Sequence, residues 1–408
     1  MMLNSSTFFT NFLSSFLIGS KYFGASLFQY NRKSRKLEIR ESEWFQKQFQ
    51  FRLNFAWLLT LYSVWETYQF RRKWKAQQKS GDSLADAETD TTITLQLFYI
   101  GCFTAFTYVN QVHMKKQKEI RNLYNAMQSF ENEYIDYQNK KGPPFSSKLF
   151  LLYTVLVIIP VQAGRALIIY TFPCVLDVVA SSQIPECKLE ENASGLAKMT
   201  SSHSFELTKM VVIIMNFTIY GGFYFGFIAE LVCFSHIPGV FINQQIQAAN
   251  RYMKDKTKSP YKKVLFFRQL QLMLISHNWI HKSYAVVAAL GQSVFLMTIC
   301  LYCLVNLHAS LLPVHVSFFL STAAQCFTTI IAVGGTLGDV YSNSGQLLED
   351  IKAEIPLQKN TWFRRSFKSW PVQKIRFGQV NFLDRLSPVT LVDFSINLTL
   401  NMVLVKSA

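Results

Sequence analysis

The sequence predicts an all-α membrane protein with seven transmembrane helices. Half of the 408 residues are hydrophobic and only 16% are charged. The apolar residues are concentrated in seven runs, and a helix of about 20 apolar residues crosses the hydrocarbon core of a bilayer. A helix also satisfies its own backbone hydrogen bonds, so it is the expected spanning form. The predicted segments are Leu53–Phe70, Thr91–Val112, Leu149–Phe172, Val211–Phe234, Ser283–Leu307, Leu311–Gly334 and Leu386–Val405.

Basic residues predict the orientation of these segments. Of the 41 Lys and Arg residues, 31 lie in the N-terminal arm and in the alternate connections 113–148, 235–282 and 335–385. The other flanks together carry nine, five of them in 71–90, which is the one connection that disagrees with the pattern. Cytoplasmic flanks are enriched in Lys and Arg. The distribution therefore predicts a cytoplasmic N-terminus and an extracellular C-terminus.

The same pattern divides the chain into four regions. Residues 1–52 form a cytoplasmic arm, 53–334 hold the first six transmembrane helices with cytoplasmic helical extensions, 335–385 are a cytoplasmic linker or anchor, and 386–408 are the seventh helix. Apolar residues of Thr7–Gly19 share one helical face, which predicts an amphipathic helix on the inner leaflet or against the bundle. Helical spacing also indicates that segments two and six continue into the cytoplasm and that another amphipathic helix precedes segment five.

The large loop between segments three and four is predicted to be extracellular. Cys174 and Cys187 both lie in it, and a disulfide between them is expected on the oxidising side of the membrane. The sequon that begins at Asn192 lies in the same loop and predicts glycosylation. The other five cysteines lie inside apolar segments and are expected to act as small apolar side chains.

The sequence lacks the signatures of catalysis, metal binding and nucleic-acid binding. It contains no Gly-rich phosphate loop and no nucleophile-elbow pattern, so we predict neither an enzyme nor a cofactor. His277 and His281 lie four residues apart, but a metal site needs more ligands than this pair supplies. The net charge of +16 follows the membrane sidedness, because cytoplasmic loops face anionic lipid, so no nucleic-acid partner is predicted.

Polar residues inside the membrane segments are candidate functional residues, because burying them in lipid is costly. Arg165 can reach the outer interface, join two helices, or line an outward cavity that would bind a ligand with Tyr220, Gln292 and His315. Segment seven carries five polar residues that face either a packed core or a water-filled path. They are Asp393, Ser395, Asn397, Thr399 and Asn401. Because Asp393, Asn397 and Asn401 are spaced by four, they share one helical face.

Three classes of function fit a chain with seven membrane segments. They are a sensory ligand-gated ion channel, a seven-helix G-protein-coupled receptor, and a membrane transporter or enzyme. The receptor class would need an extracellular N-terminus and an acidic-Arg-aromatic triplet at the inner end of segment three. It would also need an Asn-Pro-x-x-Tyr pattern in segment seven, but this segment ends with 401-NMVLV-405. The third class lacks a recognisable site, so the ion channel is favoured.

Several segments resemble the arthropod gustatory and odorant receptor superfamily. The run 22-YFGASLFQY-30 is similar to the family's entry before segment one, and Ile375–Gly378 is similar to its junction before segment seven. Of the family's C-terminal signature only Thr399 is kept, which indicates a divergent member. The resemblance implies a homo- or heterotetrameric cation channel of the plasma membrane, gated by a small-molecule tastant or odorant. Four copies of segment seven would line its pore, and a ligand pocket would lie in the outer halves of the middle helices.

Overall fold

Long helices make up most of the described residues. The computed structural model describes residues 17, 27–31, 34, 36–77, 84–134, 237–255, 257–282, 285–306, 313–354, 361–379 and 381–407. The helices are α1 (Glu43–Gln77), α2 (Leu84–Glu133), α3 (Ile237–Lys254), α4 (Pro260–His281), α5 (Ala285–Asn306), α6 (Pro313–Thr329), α7 (Gly335–Glu354), α8 (Thr361–Lys368) and α9 (Ser387–Ser407). A π-helical turn, Ile330–Gly334, joins α6 to α7. Two antiparallel hairpins complete these elements, β1 (Phe28–Asn31) with β2 (Lys36–Ile39) and β3 (Arg376–Phe377) with β4 (Asn381–Phe382).

Three helices of the described part are long and apolar enough to cross a membrane. They are Val286–Asn306, Val316–Ala353 and Ser387–Val405. These spans correspond to predicted segments five, six and seven. Segments one and two are helical within α1 and α2, while their membrane crossing stays a prediction. Segments three and four lie outside the described residues, as does the amphipathic helix at 7–19 except for Leu17.

The helices continue beyond the apolar segments and pack into a base. Helix α2 runs past Val112 to Glu133, with a non-helical backbone at Lys116 (φ −108°, ψ 15°). The structure thus contains the continuations predicted for segments two and six, and α4 before segment five. Aromatic side chains fill the base, with ring centroids 4.6–5.4 Å apart. These rings are Phe130, Tyr134, Tyr252 and Phe266.

The region 335–385, which the sequence predicts to be a cytoplasmic linker or anchor, is folded against the base. It contains α7, α8 and the β3–β4 hairpin. Trp370, just after α8, stacks on Phe267 of α4 with centroids 3.9 Å apart, and the tilted ring of Phe367 has its centroid 4.0 Å from that of Trp370. Burial of these rings fixes α8 to the base, because aromatic side chains contribute large buried apolar areas.

The two hairpins are fixed by hydrogen bonds to neighbouring helices. The Asn125 side chain of α2 accepts from the Leu37 backbone nitrogen at 3.0 Å and donates to its carbonyl oxygen at 3.2 Å. In the second hairpin Gly378 has a φ of 71°, which a residue with a Cβ rarely adopts. Its backbone nitrogen donates to the Lys282 carbonyl oxygen at 2.7 Å, so the β3–β4 turn lies beside the end of α4.

Candidate functional site

The last membrane span begins with a side-chain cap. Asp384 accepts hydrogen bonds from the backbone nitrogens of Leu386 (3.0 Å) and Ser387 (2.7 Å), and from the Ser387 hydroxyl at 2.8 Å. The bond from the Ser387 hydroxyl, with the two backbone bonds, lowers the pKa of Asp384. These bonds satisfy donors that the first turn of a helix leaves open. They fix the point at which α9 enters the membrane.

One face of α9 packs against α5 through small polar side chains. Ser395 is fully buried and Thr399 is 5% exposed. The Thr298 hydroxyl of α5 lies 3.5 Å from the Ser395 carbonyl oxygen, and the Thr399 hydroxyl lies 3.4 Å from the Thr298 carbonyl oxygen. Each of the three hydroxyls also donates to a carbonyl oxygen four residues earlier in its own helix. Small side chains of this kind let two membrane helices approach closely.

The opposite face of α9 is polar and exposed. Asp393, Asn397 and Asn401 are all exposed in the single chain, and the Asn397 amide donates to the Asp393 carboxylate at 3.1 Å. Only 17% of the α9 span is buried, against 67% for the α5 span and 39% for the span formed by α6 and α7. Of the five polar residues of segment seven, Ser395 and Thr399 therefore lie in the contact with α5. Asp393, Asn397 and Asn401 lie outside that contact.

A tight joint connects the entry of α9 to α7. A Cβ built on Gly338 would overlap the Asp384 carbonyl group and lie 3.0 Å from the Arg385 nitrogen, so only glycine permits this approach. Arg385 Nε also pairs with Asp339 Oδ1 at 2.8 Å. These contacts place the start of α9 directly on α7.

The π-helical turn lies at the same joint. Its last residue is Gly334, where a Cβ would lie 3.1 Å from Pro388 Cγ of α9. Ile330, in the same turn, is fully buried beside Val294 of α5 and the partly buried Leu391 of α9. Single π-helical turns inside α-helices occur frequently at functional sites. Helices α5, α6 and α9 therefore meet at one place.

Comparison with known proteins identifies this arrangement. No protein-family model and no curated protein matches the sequence. The solved structure of the insect olfactory receptor OR5 from Machilis hrabei is similar over 96% of this chain and 97% of its own, at 10% identity and a TM-score of 0.61. The chain has the fold of an insect olfactory receptor. A second structure of OR5, in complex with eugenol, is similar over 97% of this chain and 98% of its own, at 11% identity and a TM-score of 0.63.

This match confirms the resemblance to insect chemoreceptors at the level of the fold. It extends over nearly the whole length of both chains, so no large region of either protein is left unmatched. The sequence signatures that suggested the resemblance cover only short stretches of the chain. Similarity of fold with about one residue in ten identical shows that the packing of the helices is shared.

The olfactory-receptor fold separates two of the predicted ligand residues. Gln292 is seven residues after the start of α5, whereas His315 is two residues after the start of α6. The helices are antiparallel, with Cys326 beside Val294 and Phe319 in the cluster around Cys303. Since a helix rises 1.5 Å per residue, Gln292 lies roughly 20 Å from the level of His315. The two residues therefore lie at different levels of the helix pair, and a ligand pocket among the predicted residues stays a prediction.

The remaining predicted sites lie outside the described residues. This applies to the ligand candidates Arg165 and Tyr220, to Cys174 and Cys187, and to the sequon at Asn192. Of the two histidines considered for metal binding, His277 and His281 are both buried, with ring centroids 4.7 Å apart. Within the described ranges, no group of three or more His, Cys, Asp or Glu residues could hold a metal ion.

Sequence reasoning missed the joint at Gly338. Two signals for it are present in the sequence. Gly334 and Gly338 are four residues apart, which places them on one helical face, and Asp384 with Ser387 forms a helix-start pattern. Neither signal shows that the glycine face contacts the start of α9. The residues in contact are 46 positions apart in sequence, as for the Asp339–Arg385 hydrogen bond.

Proposed function

We propose that this chain is a subunit of a chemosensory, ligand-gated cation channel of the plasma membrane. The observation that carries the proposal is the exposed polar face of α9, on a chain whose fold matches an insect olfactory receptor over nearly its full length. A membrane helix that is mostly unburied in the single chain, with acidic and amide side chains on one side, needs a neighbour or water at that side. An assembly of several chains around a central path accounts for it.

The free-energy cost of the polar face favours a pore. An Asp at the centre of a membrane helix costs about 2.5–3.5 kcal/mol by insertion measurements. Asp393 has Asn397 as a hydrogen-bond partner one turn away, and both remain exposed. This face must therefore meet water or another subunit. Four copies of α9, from this chain alone or with a partner chain, would line a path with Asp393, Asn397 and Asn401 on the water side.

The position of Asp393 fits an entrance for cations. It lies six residues after Ser387, or about 9 Å into the span. With a cytoplasmic N-terminus and seven spans, as the charge distribution predicts, this is the cytoplasmic end of the pore. A ring of four carboxylates would attract cations and repel anions.

The ligand that we propose is a small organic molecule, an odorant or a tastant. OR5 has been solved in complex with eugenol, a small molecule. A pocket near the outer end of α6 would contain His315 together with the predicted neighbours Arg165 and Tyr220. Gln292 lies at the level of the π-helical turn instead, where it is half-buried. We therefore exclude Gln292 from that pocket.

Cysteine accessibility tests the pore. Asn397→Cys and Asn401→Cys are expected to react with water-soluble thiol reagents and block current in cells exposed to a panel of volatile aromatic compounds that includes eugenol. Ser395→Cys is the matched control, because residue 395 is buried against α5 and should be protected. Asp393→Asn is expected to lower cation selectivity while the amount of protein at the cell surface stays unchanged.

Two outcomes would contradict this proposal. Normal currents that are insensitive to reagent at both 397 and 401 would assign the pore to another helix. Surface labelling of an N-terminal epitope tag on intact cells would reverse the orientation. The wild-type chain serves as the reference for reagent effects on its own seven cysteines.

A further inference from the structure

One boundary of the membrane region is surrounded by basic side chains. The α5 span begins at Val286, the α9 span begins at Ser387, and predicted segment two ends at Val112. Six cations and one exposed tryptophan lie close in sequence to these three positions or beside the β3–β4 hairpin. We call this set the boundary belt; it comprises Lys115, Lys116, Lys118, Lys282, Lys374, Arg376 and Trp279.

Contacts in the structure place members of the belt together. The Asn278 side chain of α4 donates to the Lys374 carbonyl oxygen at 2.9 Å and accepts from the Arg376 nitrogen at 2.8 Å. On α2, the Lys116 ammonium lies 4.3 Å from the ring centroid of Trp279. The end of α4 thus connects the β3–β4 hairpin to α2, although these elements are distant in sequence.

The belt lies at the depth of lipid headgroups. Lys282 is four residues before Val286, and Lys116 is four residues after Val112. The four residues of α2 from Val112 to Lys116 rise about 6 Å. The headgroup region on each side of the hydrocarbon core is roughly 5–8 Å thick. Trp279 is 61% exposed, as expected for the aromatic residues that mark a membrane interface.

Nearby carboxylates do not neutralise the belt. Two nearby acids are already engaged, because Asp339 pairs with Arg385 and Asp384 caps α9. Glu119 is the other acid close to the belt in sequence, one carboxylate beside six cations. Within the described part of the chain, Lys374 and Arg376 form no ion pair with a carboxylate, and both are exposed. Lys374 instead lies 4.8 Å above the ring of Phe382. The hairpin therefore presents cations toward the headgroup layer.

We propose that the boundary belt binds the headgroup of an anionic phospholipid of the inner leaflet. Each Lys or Arg near an anionic membrane surface contributes favourably to binding, and the tryptophan positions the site at the interface. The lipid would bridge α2, α4 and the hairpin that leads into α9. This inference rests on the proposed orientation of the chain but not on its channel activity.

Native mass spectrometry of the purified full-length chain in neutral detergent tests the site. An equimolar mixture of phosphatidylserine and phosphatidylcholine is added, and the ratio of the two bound lipids is measured. The wild type is expected to retain phosphatidylserine preferentially. The double variant Lys374→Gln with Arg376→Gln should lower the ratio about fivefold for each cation removed. Arg376→Lys alone should keep most of the preference.

A matched control removes the same charge elsewhere. Arg364 and Lys368 are exposed cations of α8, and the neighbouring Trp370 stacks on Phe267, fifteen residues before Lys282. The nearest belt contact on α4 is Asn278, which is eleven residues after Phe267 and donates to the Lys374 carbonyl oxygen, so the control cations lie about 16 Å along α4 from it. Their replacement by Gln should leave the lipid ratio unchanged. An equal fall in the control, or equal retention of both lipids by the wild type, would overturn the proposal.

A second variant makes the test independent of the hairpin's folding. Lys115 is exposed on α2, outside the β3–β4 hairpin, so Lys115→Gln should lower the ratio without disturbing that turn. The site is refuted if Lys115→Gln leaves the lipid ratio at the wild-type value while the double variant melts at a lower temperature. In that case the double variant lowers the ratio by disturbing the fold. Because the readout is lipid binding, neither result decides the pore test on Asn397 and Asn401.

Discussion

Replacing Gly338 with alanine should destabilise the entry of the last membrane helix. The new Cβ would lie closer than 3.0 Å to the Asp384 carbonyl group, a separation that real Cβ atoms essentially never show. Both neighbours are backbone, so neither can rotate away, and the upper end of the overpacking cost applies, about 3 kcal/mol. Alanine is favoured over glycine inside a helix by about 1 kcal/mol. The expected net loss of stability is therefore about 2 kcal/mol.

Gly345→Ala provides the matched control in the same helix. A Cβ at Gly345 would meet nothing within 4 Å, so only the helix preference changes, and a gain of about 0.5–1 kcal/mol is expected. Thermal unfolding of both purified variants in detergent measures the difference. The two variants should move to opposite sides of the wild type. If Gly338→Ala melts at or above the temperature of Gly345→Ala, the close contact between α7 and the start of α9 is not present.

Two further predictions concern the base. Trp370→Ala removes a ring that is 6% exposed and stacked on Phe267, so we expect the free energy of unfolding to fall by about 3–5 kcal/mol. Trp362→Ala is the control, because that side chain is 49% exposed and its loss should cost far less. Thermal unfolding measures both variants. Burial lowers the pKa of His281 to about 3, so the unfolded chain gains a proton below pH 6.5 that the folded chain excludes. The contribution of His281 to the free energy of unfolding should then be full above pH 6.5 and fall by about 1.4 kcal/mol for each pH unit below it, down to about pH 3. His281→Gln should reduce this dependence of the unfolding free energy on pH. An unchanged dependence would contradict the assignment of the effect to His281.

Segment seven shows where sequence reasoning reached its limit. Its spacing placed Asp393, Asn397 and Asn401 on one face, and the structure exposes all three. The sequence left open whether its polar residues faced a packed core or water. Ser395 and Thr399 pack against Thr298 of α5, a residue about a hundred positions earlier. No local pattern contains that neighbour.

The different levels of Gln292 and His315 have a related cause. Both residues were assigned to the outer halves of their helices by their place in apolar runs. Depth in the bundle depends on where each helix begins, and α5 begins at Ala285, only seven residues before Gln292. The antiparallel packing of α5 on α6 then places His315 near the opposite end of α5.

The sequence by itself determined where the chain is helical and apolar over segments five, six and seven, because a run of about 20 apolar residues is a local property that the bilayer selects. It also determined the continuation of the helices into a base, because helical periodicity is local too. Only the tertiary structure decided which side of α9 is buried and that Gly338 lies against Asp384. Those contacts depend on how distant helices pack, and packing is set by side-chain shapes on both partners at once.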